Sequence, residues 1–174
     1  PNPHAAAYSS SGSPNEVSPS PSACPSANKT TGLEMPANSL SLIRIVDDDA
    51  EMRESLEFLL STEGWKSRSY ASAEAFLATE DVMVPGCLIL DIRMPGMTGV
   101  ELQRRLFDAK CTLPVIFLTG HGDITTAVHT MKYGAADFLE KRGDPLALAG
   151  AVERACAKSM AAESDAAEAD DYRT

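Results

Sequence analysis

The sequence predicts an α/β domain: a doubly wound, five-stranded parallel sheet with helices on both faces. Between residues 41 and 158, short runs rich in Leu, Ile and Val alternate with stretches of helical periodicity. The helical stretches, in turn, open on residues that cap helices. Strands buried on both faces read as near-continuous apolar runs, and a parallel partner needs a crossover long enough to hold a helix. Repeated βα units meet both requirements. They carry with them right-handed crossovers and a functional crevice at the carboxyl ends of the strands.

The elements follow in order. "SLIRIVD" (41–47) is the first strand, and Met52, Leu56, Leu59 and Leu60 then fall at i, i+4, i+7 and i+8, one face of a helix. "KSRSYA" (66–71) is a weaker strand, after which Ser72 opens the helical segment "SAEAFL". "GCLILDI" (86–92) is the third strand, and Thr98 with Glu101 matches the S/T-x-x-E capping box of the next helix. "PVIFLTG" (114–120) is the fourth, followed by Ile124, Val128 and Met131, which repeat the apolar stripe. "ADFLEK" (136–141) is the fifth, and Asp144 caps a helix whose first position is Pro145.

At 174 residues the chain allows one ordinary domain with appendages. Residues 1–40 hold seven of the 11 prolines and nine serines, with too little apolar surface to offset chain entropy, and read as a disordered tail. His4 and Cys24, within it, have no partners at metal-ligand spacing. Residues 41–158 are the domain. Residues 159–174, "SMAAESDAAEADDYRT", read as an acidic linker cut before an output domain, and the lack of an initiating Met points to a fragment. A net charge of -10 and a pI near 4.7 argue against nucleic acid or an anionic membrane as a direct partner, since both repel the chain. Cys24, Cys87, Cys111 and Cys156 form no C-x-x-C pair and no dense framework, which fits inert thiols in a reducing cytoplasm. No stretch reaches the roughly 18 apolar residues of a membrane span.

The stretch "IVDDDAEMRESLEFLL" (45–60) crowds Asp47, Asp48 and Asp49 where a strand gives way to a helix. Asp47 and Asp48 end the first strand and Asp91 ends the third, so the fold brings three carboxylates to one crevice. Two unit charges about 4 Å apart at an effective dielectric near 20 repel by roughly 4 kcal/mol. A hard divalent cation with oxygen ligands relieves that repulsion, and Mg2+ suits one or two carboxylates with water and a phosphate oxygen. Lys141 at the end of the fifth strand adds a fixed positive charge, and Thr119 at the end of the fourth a hydroxyl. Asp49 reads as a helix cap. His121 and His129 lack metal-ligand spacing and read as non-ligands.

The stretches "IVDDD", "LILDIRMPGMTGVEL", "IFLTGHGD" and "YGAADFLEK" resemble, in order and spacing, the receiver domain of bacterial two-component response regulators. The run "TGHGDITTAVHTMKYGAADFLEK" is similar to receivers of the FixJ/NarL type. The resemblance implies a flavodoxin-like fold, Asp91 as phosphoryl acceptor, and Mg2+ held by Asp47, Asp48, Asp91 and the backbone carbonyl of Arg93. It also implies Thr119 and Lys141 as phosphate-contacting groups, Thr119 and Phe138 as a switch pair, and tuning of phosphate lifetime by Arg93 and His121. A sensor histidine kinase is the implied partner, with a phosphorylation-dependent homodimer. DNA is reached only through a helix-turn-helix domain that this sequence lacks.

Chemistry gives these residue types independent reasons. A carboxylate attacks a phosphoryl group only where the incoming charge is neutralised, which a metal and Lys141 provide. Thr119 turning toward the new phosphate vacates space into which Phe138 rotates, both lying at the ends of the strands that flank the fourth helix. Gly120 and the "MPGMTG" loop leave room beside it. One residue departs from the family pattern: Lys141 precedes Arg142 rather than a cis proline, and a cis bond there costs about 2.5 to 4 kcal/mol. A trans bond there could displace Lys141, and a stand-alone or phosphate-independent receiver used as an interaction module is the alternative reading. A Mg2+-dependent phosphohydrolase is disfavoured because "DIRMP" does not meet D-x-D-x-[TV].

Overall fold

The apolar runs become β1 (Leu42–Val46), β2 (Lys66–Tyr70), β3 (Gly86–Asp91), β4 (Val115–Thr119) and β5 (Asp137–Glu140). They form one parallel sheet in the order β2-β1-β3-β4-β5. The computed structural model describes residues 37–80, 82–120 and 124–171. His4, Cys24, His121 and residues 1–36 of the tail expected to be disordered over 1–40 lie outside the described residues; its last four residues, Ala37–Leu40, instead form a helical turn.

Helices α1 (Ala37–Leu40), α2 (Ala50–Thr62), α3 (Ala73–Thr79), α4 (Gly99–Asp108), α5 (Ile124–Lys132) and α6 (Pro145–Asp171) complete the chain. The acidic stretch from residue 159 continues α6 as far as Asp171, which its alanines favour. Cys87, Cys111 and Cys156 are free thiols. Among the described residues no helix is long and apolar enough to cross a membrane.

Side chains alternate across the strands and divide the core into two layers. On one face, Ile43, Ile45, Cys87, Ile89, Ile116 and Leu118 meet Leu56 and Leu60 of α2 and Leu148, Val152 and Cys156 of α6. On the other, Val46, Leu88, Leu90 and Phe117 meet Phe76 of α3 and Leu102 and Leu106 of α4. Each such Leu, Ile or Phe side chain gains about 1.5 to 3 kcal/mol from burial. β3 lies at the centre with all six residues buried.

The caps fall where the sequence places them. Asp49 accepts from the backbone N–H groups of Glu51 and Met52, Ser72 from that of Ala75, and Thr98 forms the full capping box with Glu101. Asp144 accepts from the N–H of Leu146. These side chains satisfy first-turn donors and mark where each helix starts.

Val128 and Met131 of the α5 stripe do not face the core. Val128 is 56% and Met131 48% exposed, while Thr130 is fully buried. Gln103 of α4 explains the orientation, since its side-chain amide donates to the carbonyls of Thr130 and Tyr133. A polar contact, and not Val128 or Met131, joins this part of α5 to the rest of the domain. Phe138 also departs from expectation: it is not at a strand end but second in β5, paired with Phe117. Within β1, Arg44 is completely buried and bonds Glu80 at 2.7 Å, so the charge in an otherwise apolar strand is matched by a carboxylate following α3.

Candidate functional site

β2 lies on one side of β1 and β3 on the other, so the first crossovers run in opposite directions and open a crevice at the carboxyl ends of β1 and β3. The three aspartates divide their tasks there. Asp47 is buried; its N–H donates to the Tyr70 carbonyl at 3.2 Å, and its Oδ1 accepts from the Asp49 N–H at 2.9 Å. Arg53, from α2, donates to the Asp47 carbonyl at 2.7 Å. Asp48 is exposed at the rim, and Asp49 caps α2.

Asp91 ends β3 and is nearly buried. Its Oδ1 accepts from the Arg93 N–H at 3.3 Å. Lys141 follows β5, and its N–H donates to the Thr119 carbonyl at 2.8 Å, which fixes the base of its side chain. The ammonium reaches 2.8 Å from Asp47 Oδ2 and 2.9 Å from Asp91 Oδ2. No described peptide bond is cis, so the bond before Arg142 is trans, yet Lys141 is not displaced. The hydrogen bond to the Thr119 carbonyl holds the Lys141 backbone before the chain turns away, so the trans bond does not carry its side chain off the site.

Burial pushes the Asp91 carboxyl above the ordinary aspartate range; Lys141 opposes the shift and the Asp47 charge reinforces it. Burial also opposes the Lys141 charge, but the two carboxylates outweigh it and raise its pKa. The pair of acids thus gains from added positive charge. Asp47, Asp48 and Asp91 each present an oxygen within 4.8 Å of the others. An octahedral Mg2+ with bonds near 2.0 Å spaces its ligand oxygens by about 2.9 to 4.2 Å, so a small contraction fits the donors to the ion. Asp47 Oδ2 is buried and accepts from the Lys141 ammonium at 2.8 Å, which leaves a further lone pair for a cation.

A cavity of about 420 Å3 opens over these groups, lined by Asp48, Asp91, Arg93, Thr119, Gly120 and Lys141. A Cβ on Gly120 would meet no atom within 4 Å, in keeping with open space there. Gly99 is the opposite case: a Cβ would stand 2.0 Å from the Asp91 carbonyl, so α4 starts this close to the acceptor only with glycine. Thr119 is buried at the end of β4, and Phe138 shares a sheet face with Phe117, ring centroids 6.3 Å apart. His129 sits on α5 against Tyr133. Sequence reasoning missed Arg53, whose position one turn beyond the aspartates on α2 was its available signal.

A doubly wound sheet with this acidic crevice and a lysine beyond the last strand defines a class, and the response regulator receiver domain family matches residues 43–153. The chain belongs to that family. It is similar to the transcriptional regulatory protein FixJ of Rhizobium meliloti (strain 1021), 46% identical over 131 residues, 75% of this chain and 64% of that protein. A crystal structure of FixJ-N matches with a TM-score of 0.60 at 44% identity, covering 67% of this chain and 93% of that one. The response regulator StyR matches with a TM-score of 0.70 at 39% identity, covering 76% and 66%. These relatives set the chain among receivers of the FixJ/NarL type. The chain spans about two thirds or less of the length of the curated relatives it matches.

Proposed function

We propose that the chain is the receiver part of a two-component transcription regulator and that Asp91 accepts a phosphoryl group from a sensor histidine kinase. The observation that supports this best is the Lys141 ammonium standing 2.8 Å from Asp47 and 2.9 Å from Asp91. A fixed cation between two buried carboxylates compensates charge where a phosphoryl group adds more. In this reading a carboxylate oxygen of Asp91 attacks the phosphorus of a phosphohistidine, the P–N bond breaks, and the imidazole keeps the electron pair. Asp47, Asp48, Asp91 and the Arg93 carbonyl hold Mg2+, which supplies Lewis-acid neutralisation of the phosphoryl oxygens. The Thr119 hydroxyl turns in to donate to the phosphate, and Phe138 follows on the same sheet face.

Phosphorylation in this reading promotes pairing of two copies through α5, β5 and α6, where Val128 and Met131 are exposed. The parts divide as a Pro/Ser-rich tail (1–40), the receiver (41–158) and an acidic linker (159–174). The acidic chain repels DNA, so promoter contact falls to a domain outside this sequence. Free thiols at Cys87, Cys111 and Cys156 suit a cytoplasmic setting. The protein receives the phosphoryl group and passes on a conformation; it is not proposed as an enzyme with a substrate of its own. The phosphate-independent alternative rests on Arg142, and the seating of Lys141 weighs against it.

Incubation with a small phosphodonor such as acetyl phosphate tests the reading. With Mg2+ present one base-labile phosphoryl group is expected on Asp91, absent when Mg2+ is omitted or when Asp91→Asn is used. Phosphate on a serine or threonine, or undiminished labelling of Asp91→Asn, contradicts it.

A further inference from the structure

Glu74 has no part in the chemistry described so far. It lies in the first turn of α3, behind the N-cap Ser72. Its carboxylate nonetheless reaches across to the loop joining Asp91 to α4, where Oε1 accepts a hydrogen bond from the Met97 N–H at 2.8 Å. Gly96 bends beneath it with a φ of 77°, and a Cβ there would come within 2.8 Å of that same oxygen. A side chain at 96 therefore meets both a strained backbone and the carboxylate. Glu74 is held below its ordinary pKa by hydrogen bonds from its own backbone N–H and from that of Met97, so it is ionised at neutral pH.

The loop is tied at its two ends by other groups. At the start, the Arg93 N–H donates to Asp91, the Gly99 N–H donates to the Ile92 carbonyl, and Met94 is buried. At the end, Thr98 and Glu101 close the capping box. Glu74 fastens the stretch between. A metal contact made by a backbone carbonyl has no side-chain torsions to adjust, so its placement is that of the loop, and groups behind a ligand tune affinity for that reason.

We infer that Glu74 is a positioning residue for the metal site: by fastening Met97 it sets the loop that carries the Arg93 carbonyl. This rests on the assignment of Mg2+ to Asp47, Asp48, Asp91 and Arg93. Glu74 touches neither metal nor phosphate, and acts through backbone alone.

Calorimetric titration of Mg2+ into the full chain provides the test, with Glu74→Ala, Glu74→Gln and Asp48→Ala beside the wild type. Glu74→Ala is expected to raise the Mg2+ dissociation constant about tenfold, the lower end of what losing a group behind the ligands costs. Glu74→Gln, whose amide oxygen still accepts from Met97, is expected to recover most of that loss. At saturating Mg2+ the phosphodonor labelling rate of Glu74→Ala is expected to match the wild type. A dissociation constant for Glu74→Ala within twofold of wild type, or equal losses in the Ala and Gln variants, overturns the role of Glu74 while leaving the acidic site standing. Failure of the wild type to bind Mg2+ sinks the site assignment and the role of Glu74 together.

Discussion

The part of the sheet around β1, β3 and β4 and the part made by α5 and β5 are held by different means. All six residues of β3 are buried, and α2 and α6 press Leu56, Leu60, Leu148 and Val152 onto its side of the core. β5 has no fully buried residue, and among the described side chains of α5 only Thr130 is buried, its carbonyl reached by Gln103. Asp47, Asp91 and Thr119 stand on the first part, and Lys141, just beyond β5, brings the second to it. The difference suits an acceptor that must be arranged before reaction, joined to elements whose packing costs little to change. Low local stability belongs where a surface has to respond.

The largest effect that probes this contrast is a core truncation. Leu88→Ala, in the middle of β3, is expected to cost about 2 to 5 kcal/mol in denaturant unfolding, whereas Val128→Ala on α5 stays within about 0.5 kcal/mol. Similar costs for both would break the comparison.

A smaller effect concerns the acceptor's charge. The pKa of Asp91 is raised in the fold, first by burial, so its favourable contribution is present below the unfolded value and is lost as pH rises through the folded one. Ionised Asp91 therefore destabilises the domain at neutral pH without a metal. Asp91→Asn is expected to raise the melting temperature at pH 7, with the gain fading below about pH 3.9. A variant that melts lower than wild type at pH 7 would mean that Lys141 and the Arg93 N–H more than offset burial.

The smallest effect on stability is the most informative about the outer part. Val128→Glu sits on exposed surface and is expected to leave the melting temperature nearly unchanged, yet to abolish pairing of the phosphorylated protein in sedimentation. Thr119→Ala is expected to abolish pairing as well, through lost coupling. A pair that survives Val128→Glu moves the interface elsewhere.

Local features of the fold were legible because their causes are local. Apolar runs of strand length, Asp49, Ser72 and Thr98 at helix starts, and Pro145 after Asp144 each state their structure within a few residues. The convergence of Asp47 and Asp91 was legible from topology, since alternating βα units place strand ends together. Periodicity showed that α5 has an apolar stripe but not which way it points, and a buried threonine with a distant glutamine decided that. Arg44 was visible as a charge in an apolar run, but its partner Glu80 is 36 residues away; the Glu74 bond to Met97 spans 23. The seat of Lys141 depends on a ladder bond to Thr119, which no motif around Arg142 reveals.

Amide hydrogen exchange, compared for the unmodified chain and the chain labelled with acetyl phosphate and Mg2+, tests the division between the two parts most directly. The expected result is altered protection across α5 and β5, residues 124–140, with β1, β3 and α2 unchanged apart from the loops that touch Asp91. Equal changes in β3 and α2, or no change around α5 in fully labelled protein, would contradict it.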